Sequence, residues 1–194
     1  MADTDHGAPV RILLVSGSLR SGSTNTALLQ TAHALTLEGV VTSVYDGLID
    51  LPHFNPDEDV DGEPLAPAPA DLRAQLDAAD AILFSTPEYA GTLPGSFKNL
   101  LDWTVGGGTY DKPVAWVNAS ASPTGAAGAH DSLRKVLTYT GTDIVERACT
   151  RISVPRSSIG PDGLVADPAV GERLAGVLTA LAEHVAERRR TDDA

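Results

Sequence analysis

The residues of this chain best suited to chemistry lie in one short stretch, Ser16-Gly17-Ser18-Leu19-Arg20-Ser21-Gly22-Ser23-Thr24-Asn25-Thr26. They follow Val10, Ile12, Leu13, Leu14 and Val15, an apolar run of the kind a parallel strand shows when both its faces are buried. After them, Ala27, Leu28, Leu29, Ala32, Ala34 and Leu35 recur at helical spacing. A strand-to-helix loop of small and hydroxyl residues favours anions. The first N–H groups of a helix have no internal acceptor, and they sit at the positive end of its dipole. Arg20 adds a planar fork that matches phosphate oxygens.

Two phosphate loops with stricter rules fail on single residues. Gly17, Gly22 and Thr24 have the spacing of a nucleoside triphosphate loop, but Ser23 stands where its lysine must be. A dinucleotide fingerprint needs a second glycine where Leu19 stands. What remains suits a single terminal phosphate monoester such as that of FMN. The ordinary alternative is that the serines and threonines only cap the helix.

The elements that must position this loop alternate between strand and helix patterns, which predicts an α/β fold with a parallel sheet and right-handed crossovers. After the first strand, strands are expected at 40–46, 81–86, 113–118 and 143–154, and helices near 24–38, 69–79, 95–104, 126–139 and 168–190. Five strands and five helices suit a flavodoxin-like three-layer sandwich of strand order 2-1-3-4-5, with helices on both faces. In that fold ligands bind at the carboxyl ends of the strands. Between Leu51 and Pro69, the residues Pro52, Pro56, Pro64, Pro67 and Pro69 and a run of acidic side chains predict an exposed excursion.

Composition sets wider limits. The 194 residues suit one domain over 1–194, with residues 1–8 and 190–194 expected to be disordered. Hydrophobic residues make up 42%, and no stretch approaches the roughly 20 apolar residues of a membrane span. The N-terminus carries no secretory pattern, and the lone Cys149 rules out a disulfide framework, so a cytoplasmic location is expected. A net charge of −12 argues against nucleic acid as a partner. Arg188, Arg189 and Arg190 are expected to complement the dipole of the last helix.

The loop after strand three, Thr86-Pro87-Glu88-Tyr89-Ala90-Gly91-Thr92-Leu93-Pro94-Gly95-Ser96-Phe97-Lys98-Asn99-Leu100-Leu101-Asp102-Trp103, adds a second long motif. Together with Gly17-Ser18-Leu19-Arg20, Ser23 and Asn25 it resembles the NADPH-dependent FMN reductase family, with its G-S-x-R-x-x-S-x-N and P-E-Y-x-x-x-x-P-G-x-x-K-N-x-x-D-W patterns. Ser120 to Gly128 is similar to the family's third flavin loop, with Leu133 and Arg134 following, and Asp50 to Asp57 resembles its D-L-P-x-Y-N-x-D segment. One departure stands out: Ala90 occupies a position where many relatives carry asparagine.

The resemblance implies that Ser18, Arg20, Ser23 and Asn25 bind the FMN phosphate, with Thr26 supplying an amide and a hydroxyl. It further implies that Pro87, Glu88 and Tyr89 lie along the isoalloxazine ring and that Ser122, Thr124 and Gly125 close its pyrimidine side. The resemblance also implies that hydride passes from NADPH or NADH to FMN and the electrons then to a flavin, a quinone or a similar small acceptor, in a ping-pong cycle expected to need no catalytic acid or base from the protein. A flavodoxin-type carrier without nicotinamide turnover is the alternative, disfavoured because flavodoxin phosphate loops lack an arginine.

The stripe Phe97, Leu100, Leu101 and Thr104 of the helix 96–104 needs cover and would partly face the core of a sheet sandwich, while the resemblance implies a homodimer, or a tetramer of dimers, in which this helix packs against its twin. Ser96 is expected to be its N-cap. No metal-ligand spacing is present, and Trp103 and Trp116 are expected in the core or at an interface. His130 is expected to be a solvated residue at the start of its helix, with nucleotide contact as the sharper alternative.

Overall fold

The computed structural model describes residues 8–122 and 124–192. Along the chain lie β1 (Val10–Ser16), α1 (Thr24–Ala34), β2 (Val40–Tyr45), α2 (Pro67–Ala78), β3 (Ala81–Ser85), α3 (Gly95–Asp102), β4 (Pro113–Asn118), α4 (Ala127–Tyr139), β5 (Asp143–Ile144), β6 (Thr150–Arg151) and α5 (Pro168–Asp192). All strand pairs are parallel, in the order β2-β1-β3-β4-β5, with β6 also on β4. This is the flavodoxin-like order expected from the sequence.

Because side chains alternate along a strand, the sheet divides the core in two. Ile12, Leu14, Leu83, Ala115 and Val117 pack against Leu28 and Leu29 of α1 and Leu174, Leu178 and Leu181 of α5. Leu13, Val15, Ile82, Phe84, Val114 and Trp116 face α2, α3 and α4 through Leu72, Leu76, Phe97, Leu100 and Leu133. Helices on both faces bury every residue of β3, which explains its unbroken apolar run.

Four expectations need correction. The strand expected at 143–154 is two short pieces: Pro113 pairs with Asp143, 30 residues on, but Val117 pairs with Thr150, 33 residues on, and a 3₁₀ turn at Glu146–Ala148 takes up the difference. Helix α2 starts at Pro67, since proline is tolerated in a first turn where its missing N–H would be unpaired anyway. Helix α3 starts at Gly95 with Pro94 as its cap residue, so Ser96 lies inside it and caps nothing. Its stripe of Phe97, Leu100, Leu101 and Thr104 is buried within the chain itself, as are Trp103 and Trp116.

The proline-rich excursion is tied down along α3. Asn99 accepts from the Phe54 N–H at 2.8 Å and donates to the Pro52 carbonyl at 2.8 Å, while Trp103 Nε1 donates to that carbonyl at 2.9 Å. The arginines that close α5 do more than meet a dipole. Arg188 bridges Asp111 and Asp143, Arg189 pairs with Asp80, and His184 lies 2.6 Å from Asp143. Burial pushes the Asp143 carboxyl up, but hydrogen bonds from His184 and Arg188 together outweigh it and hold it below the usual range. Helix α5 is continuous to Asp192, beyond the expected end of order at 190; the expectations for residues 1–7, 193 and 194 lie outside the described residues. No helix among the described residues is long and apolar enough to cross a membrane.

Candidate functional site

Each of the three central strands ends its apolar run on a polar residue: Ser16 on β1, Ser85 on β3 and Asn118 on β4. These three residues organise the loops that follow them. The Ser16 hydroxyl accepts from the Ser18 N–H at 3.3 Å and lies 2.8 Å from Thr26 Oγ1. Ser18 Oγ accepts from the Arg20 N–H at 3.4 Å, and Ser23 is the N-cap of α1, its hydroxyl accepting from the Thr26 N–H at 3.4 Å. Gly17 has to be glycine, because a Cβ there would stand 2.5 Å from Thr86 Oγ1 and 2.8 Å from Phe97 Cγ.

The donors this loop leaves open define its chemistry. Among the described residues, the N–H groups of Leu19, Thr24 and Asn25 have no acceptor within the protein. Arg20 is exposed and donates to the Gly22 carbonyl at 3.2 Å, with further guanidinium donors to spare. Thr26 differs from expectation: its amide and its hydroxyl already have the partners just named. The open amides at the start of α1 belong to Thr24 and Asn25 instead.

Beside this cradle lies a polar cavity of about 350 Å³ lined by Asn25, Pro87, Glu88, Asn118, Ser120 and Gly125, among others. Ser85, fully buried, has its hydroxyl 2.9 Å from both Asn25 Oδ1 and the Val117 carbonyl. Asn25 therefore spends its oxygen on the interior, and its amide nitrogen is left for the cavity.

The loop after β3 is fastened to α4. Glu88 Oε2 accepts from the Ala129 N–H at 3.1 Å, in the first turn of α4, where the dipole favours a carboxylate. Thr92 Oγ1 lies 2.8 Å from Ser132 Oγ, and a Cβ on Gly128 would fall 2.3 Å from the Gly91 carbonyl oxygen. One oxygen of the Glu88 carboxylate is thus engaged by α4. Tyr89 is half exposed, at 51%.

Tyr89 and Thr92 pair in both directions, at 3.0 and 3.1 Å, across Ala90 (φ 52°) and Gly91 (φ 77°), a type I′ turn. Left-handed backbone is unfavourable for alanine by about 1–2 kcal/mol, whereas asparagine tolerates it better. An asparagine at position 90 would suit this backbone better than alanine does. Ala90→Asn is expected to raise the unfolding free energy by about 1 kcal/mol in urea denaturation while leaving flavin affinity unchanged; tighter flavin binding would show instead that its side chain makes a contact.

The loop after β4 is closed by Asn118, whose Oδ1 accepts from the Ser120 N–H and whose Nδ2 donates to the Gly125 carbonyl, each at 2.9 Å. Ser122 and Thr124 are exposed, and Gly125 reaches the cavity. His130 is not solvated as expected: only 8% exposed, it stacks near Trp116 with ring centroids 6.2 Å apart. Its Nδ1 lies 2.7 Å from the Ala126 carbonyl and so carries the proton, while Nε2 is buried without a partner among the described residues.

Burial lowers the His130 pKa, outweighing the Ala126 hydrogen bond and the Glu88 and Asp131 charges that pull it upward. In the unfolded chain histidine titrates near about 6.5, so this site's stability is complete above that pH and is lost as pH falls through it toward the lower folded value. The urea midpoint of the wild-type protein is expected to fall between pH 8 and pH 5, and His130→Phe to remove part of that fall. Burial pushes the Cys149 thiol up to about 11.

Of the residues expected from sequence, Ser18, Arg20 and Ser23 form the cradle, and Asn25, Pro87, Glu88 and Gly125 line the cavity. Tyr89, Ser122 and Thr124 lie in exposed positions on the loops that bound it. Ser85 and Asn118 escaped the sequence reading, while Ser16, Thr86 and Ser120 stood in its loops without a role of their own. A polar residue closing an apolar run at a strand's carboxyl end is the signal that finds three of them.

The chain matches the NADPH-dependent FMN reductase family over residues 10–151. It is 35% identical over 175 residues to an NAD(P)H-dependent FMN reductase of Pseudomonas aeruginosa, covering 89% of this chain and 93% of that protein. It is 32% identical over 190 residues to a 2-hydroxy-1,4-benzoquinone reductase of a Burkholderia species, covering 93% and 98%. Among solved structures, the flavoenzyme NAD(P)H:(acceptor) oxidoreductase FerB of Paracoccus denitrificans superposes with a TM-score of 0.78 at 27% identity, covering 92% of this chain and 98% of that one. An anion cradle and a polar cavity at the carboxyl ends of β1, β3 and β4 fit a phosphorylated flat cofactor, and with a likeness of this extent the chain belongs to the NADPH-dependent FMN reductase family.

Proposed function

We propose that this chain, an NAD(P)H-dependent FMN oxidoreductase by family, works in two half-reactions on one open site, reducing a quinone, a flavin or a similar small electron-poor acceptor after the oxidised nucleotide has left. The observation that carries this reading is the convergence of Arg20 and the open Thr24 and Asn25 amides on a helix N-terminus directly beside the cavity of the next two loops. When bound there, the flavin supplies the hydride and electron chemistry.

The chain's own residues bind and orient. Ser18, Ser23 and Arg20 hold the phosphate with the α1 amides, and the Asn25 amide nitrogen faces the cavity. Pro87, Glu88 and Tyr89 lie along the ring through their backbone, the Glu88 carboxylate being committed to α4. Ser122, Thr124 and Gly125 border its pyrimidine side. N–H donors of these loops that meet the ring's carbonyls would stabilise the negative charge that reduction brings, so binding and redox tuning would use the same groups.

We also propose a homodimer through the α3 side, where the notch between α3 and α4, lined by Leu101, Val105, Val136 and Tyr139, has a volume of about 860 Å³. Of the buried stripe of α3, Leu101 reaches the notch, and the exposed face of the helix, with the Lys98–Asp102 ion pair, borders it. Sedimentation at micromolar concentration is expected to give the mass of a dimer or a tetramer, and a monomer would remove this part of the proposal.

The functional test is a visible spectrum after FMN addition, followed by NADH and NADPH oxidation with FMN, a benzoquinone and an azo dye. Flavin absorption retained through gel filtration, with nucleotide oxidation that depends on an acceptor, is the expected result. Bound flavin without nucleotide oxidation would make the protein a carrier, and no bound flavin would overturn the reading.

A further inference from the structure

We infer that Asn118 is a positioning residue for the flavin ring, fixing the shape of the loop that borders the pyrimidine side. The inference rests on the reading of the 350 Å³ cavity as the flavin site. Asn118 is the last residue of β4, and its backbone is held in the sheet. The Ile152 N–H donates to its carbonyl at 2.9 Å, and it stands opposite Arg151 of β6 in the parallel register. From this rigid base its carboxamide engages both ends of the following loop, accepting from Ser120 N–H and donating to Gly125 O.

The loop is shaped to that clamp. Gly125 is packed so closely on Ser120 that a Cβ would stand 1.8 Å from Ser120 Oγ. Within it, Ser122 N–H donates to Ser120 Oγ at 3.2 Å and Gly125 N–H to the Ser122 carbonyl at 3.0 Å, so the turn closes on itself. Arg151 Nε donates to the Ser120 carbonyl at 3.2 Å, adding a second tie from the neighbouring strand. Only a side chain with one acceptor and one donor on the same short stem makes both of the Asn118 bonds. Aspartate in its place would keep the first and set a carboxylate against the Gly125 carbonyl, and alanine would keep neither.

A loop held in its bound shape before the ligand arrives avoids the ordering entropy that a loose loop would lose on binding. Asn118 therefore acts on the ring end of the ligand, as Arg20 acts on the phosphate end, and the two contributions separate when FMN is compared with riboflavin, which has the ring without the phosphate.

The test combines hydrogen exchange with flavin titrations of wild-type protein, Asn118→Ala, Asn118→Asp and Arg20→Ala. Exchange at the Ser120 amide is expected to accelerate in Asn118→Ala and to stay slow in Asn118→Asp, a readout that needs no flavin. Dissociation constants for FMN and riboflavin are both expected to rise about tenfold in Asn118→Ala, as the loss of two neutral hydrogen bonds implies, with their ratio unchanged. In Arg20→Ala only the FMN constant should rise. Flavin affinity unchanged in both Asn118 variants, with faster Ser120 exchange or a lower melting temperature, would overturn the inference, leaving Asn118 a structural residue only. If Asn118→Ala fails to fold, Asn118→Asp carries the test, with FMN and riboflavin weakened equally as the expected result and unchanged affinity overturning it. Wild-type protein that binds neither flavin would overturn the reading of the cavity itself, and the inference with it.

Discussion

Arg20→Ala is expected to weaken FMN binding by about 1.5–3 kcal/mol, the scale of a hydrogen bond to a charged group, or roughly 10- to 150-fold in Kd. The guanidinium is exposed and, among the described residues, its hydrogen bond is to the Gly22 carbonyl at 3.2 Å, so little folding stability is lost with it. The effect should therefore fall on the ligand and not on the melting temperature. Fluorescence titration of FMN, with riboflavin alongside, measures it: the riboflavin constant should not move. Unchanged FMN affinity would mean that the open amides of Thr24 and Asn25 suffice for the phosphate or that it lies elsewhere. Arg20→Lys should recover only part of the loss, since an ammonium supplies the charge without the planar fork.

The second large effect is expected at Gly128, where α4 passes closest to the loop after β3. An alanine Cβ would sit 2.3 Å from the Gly91 carbonyl oxygen and 3.1 Å from Glu88 Oε2. The nearest atom is backbone, so relief requires moving the whole type I′ turn or the first turn of α4. Overpacking of this kind destabilises by about 1–3 kcal/mol, more than alanine gains over glycine near a helix start. Gly128→Ala should thus lower the urea midpoint, and, because Pro87 to Tyr89 ride on the displaced loop, weaken flavin binding as well. Gly176 provides the control. It lies exposed inside α5 with no atom within 4 Å of an added Cβ, so Gly176→Ala should stabilise by about 0.5–1 kcal/mol. Opposite signs for the same substitution in two helices would show that close approach, not helix propensity, decides position 128.

Much of the fold is legible in the sequence because burial on both faces leaves a simple mark. The continuous apolar runs of β1, β3 and β4 are central strands, and their ends fall within a residue of those the runs predict. The edge beyond β4 is different. Val145 and Ala148 are buried as strand residues would be, yet Glu146–Ala148 forms a 3₁₀ turn. An apolar pattern reports burial and not hydrogen-bond partners, and an edge strand held from one side only can shift its register by three residues without exposing its core side chains. The stripe on α3 invites assignment to a partner for a related reason: periodicity identifies an apolar face, but only packing identifies what covers it.

The sequence by itself determined the ligand class and the strand order. The missing lysine at Ser23 and the missing glycine at Leu19 limit the first loop to a monophosphate, and these are local facts about backbone and donors. Only the tertiary structure decided which polar groups stay available. Asn25 Oδ1 is engaged by Ser85, 60 residues away, the Glu88 carboxylate by Ala129, 41 residues away, and the amide and hydroxyl of Thr26 by Ser23 and Ser16. A buried polar group takes whichever partner the packed chain brings within reach, and residue spacing holds no record of a partner on another strand or helix.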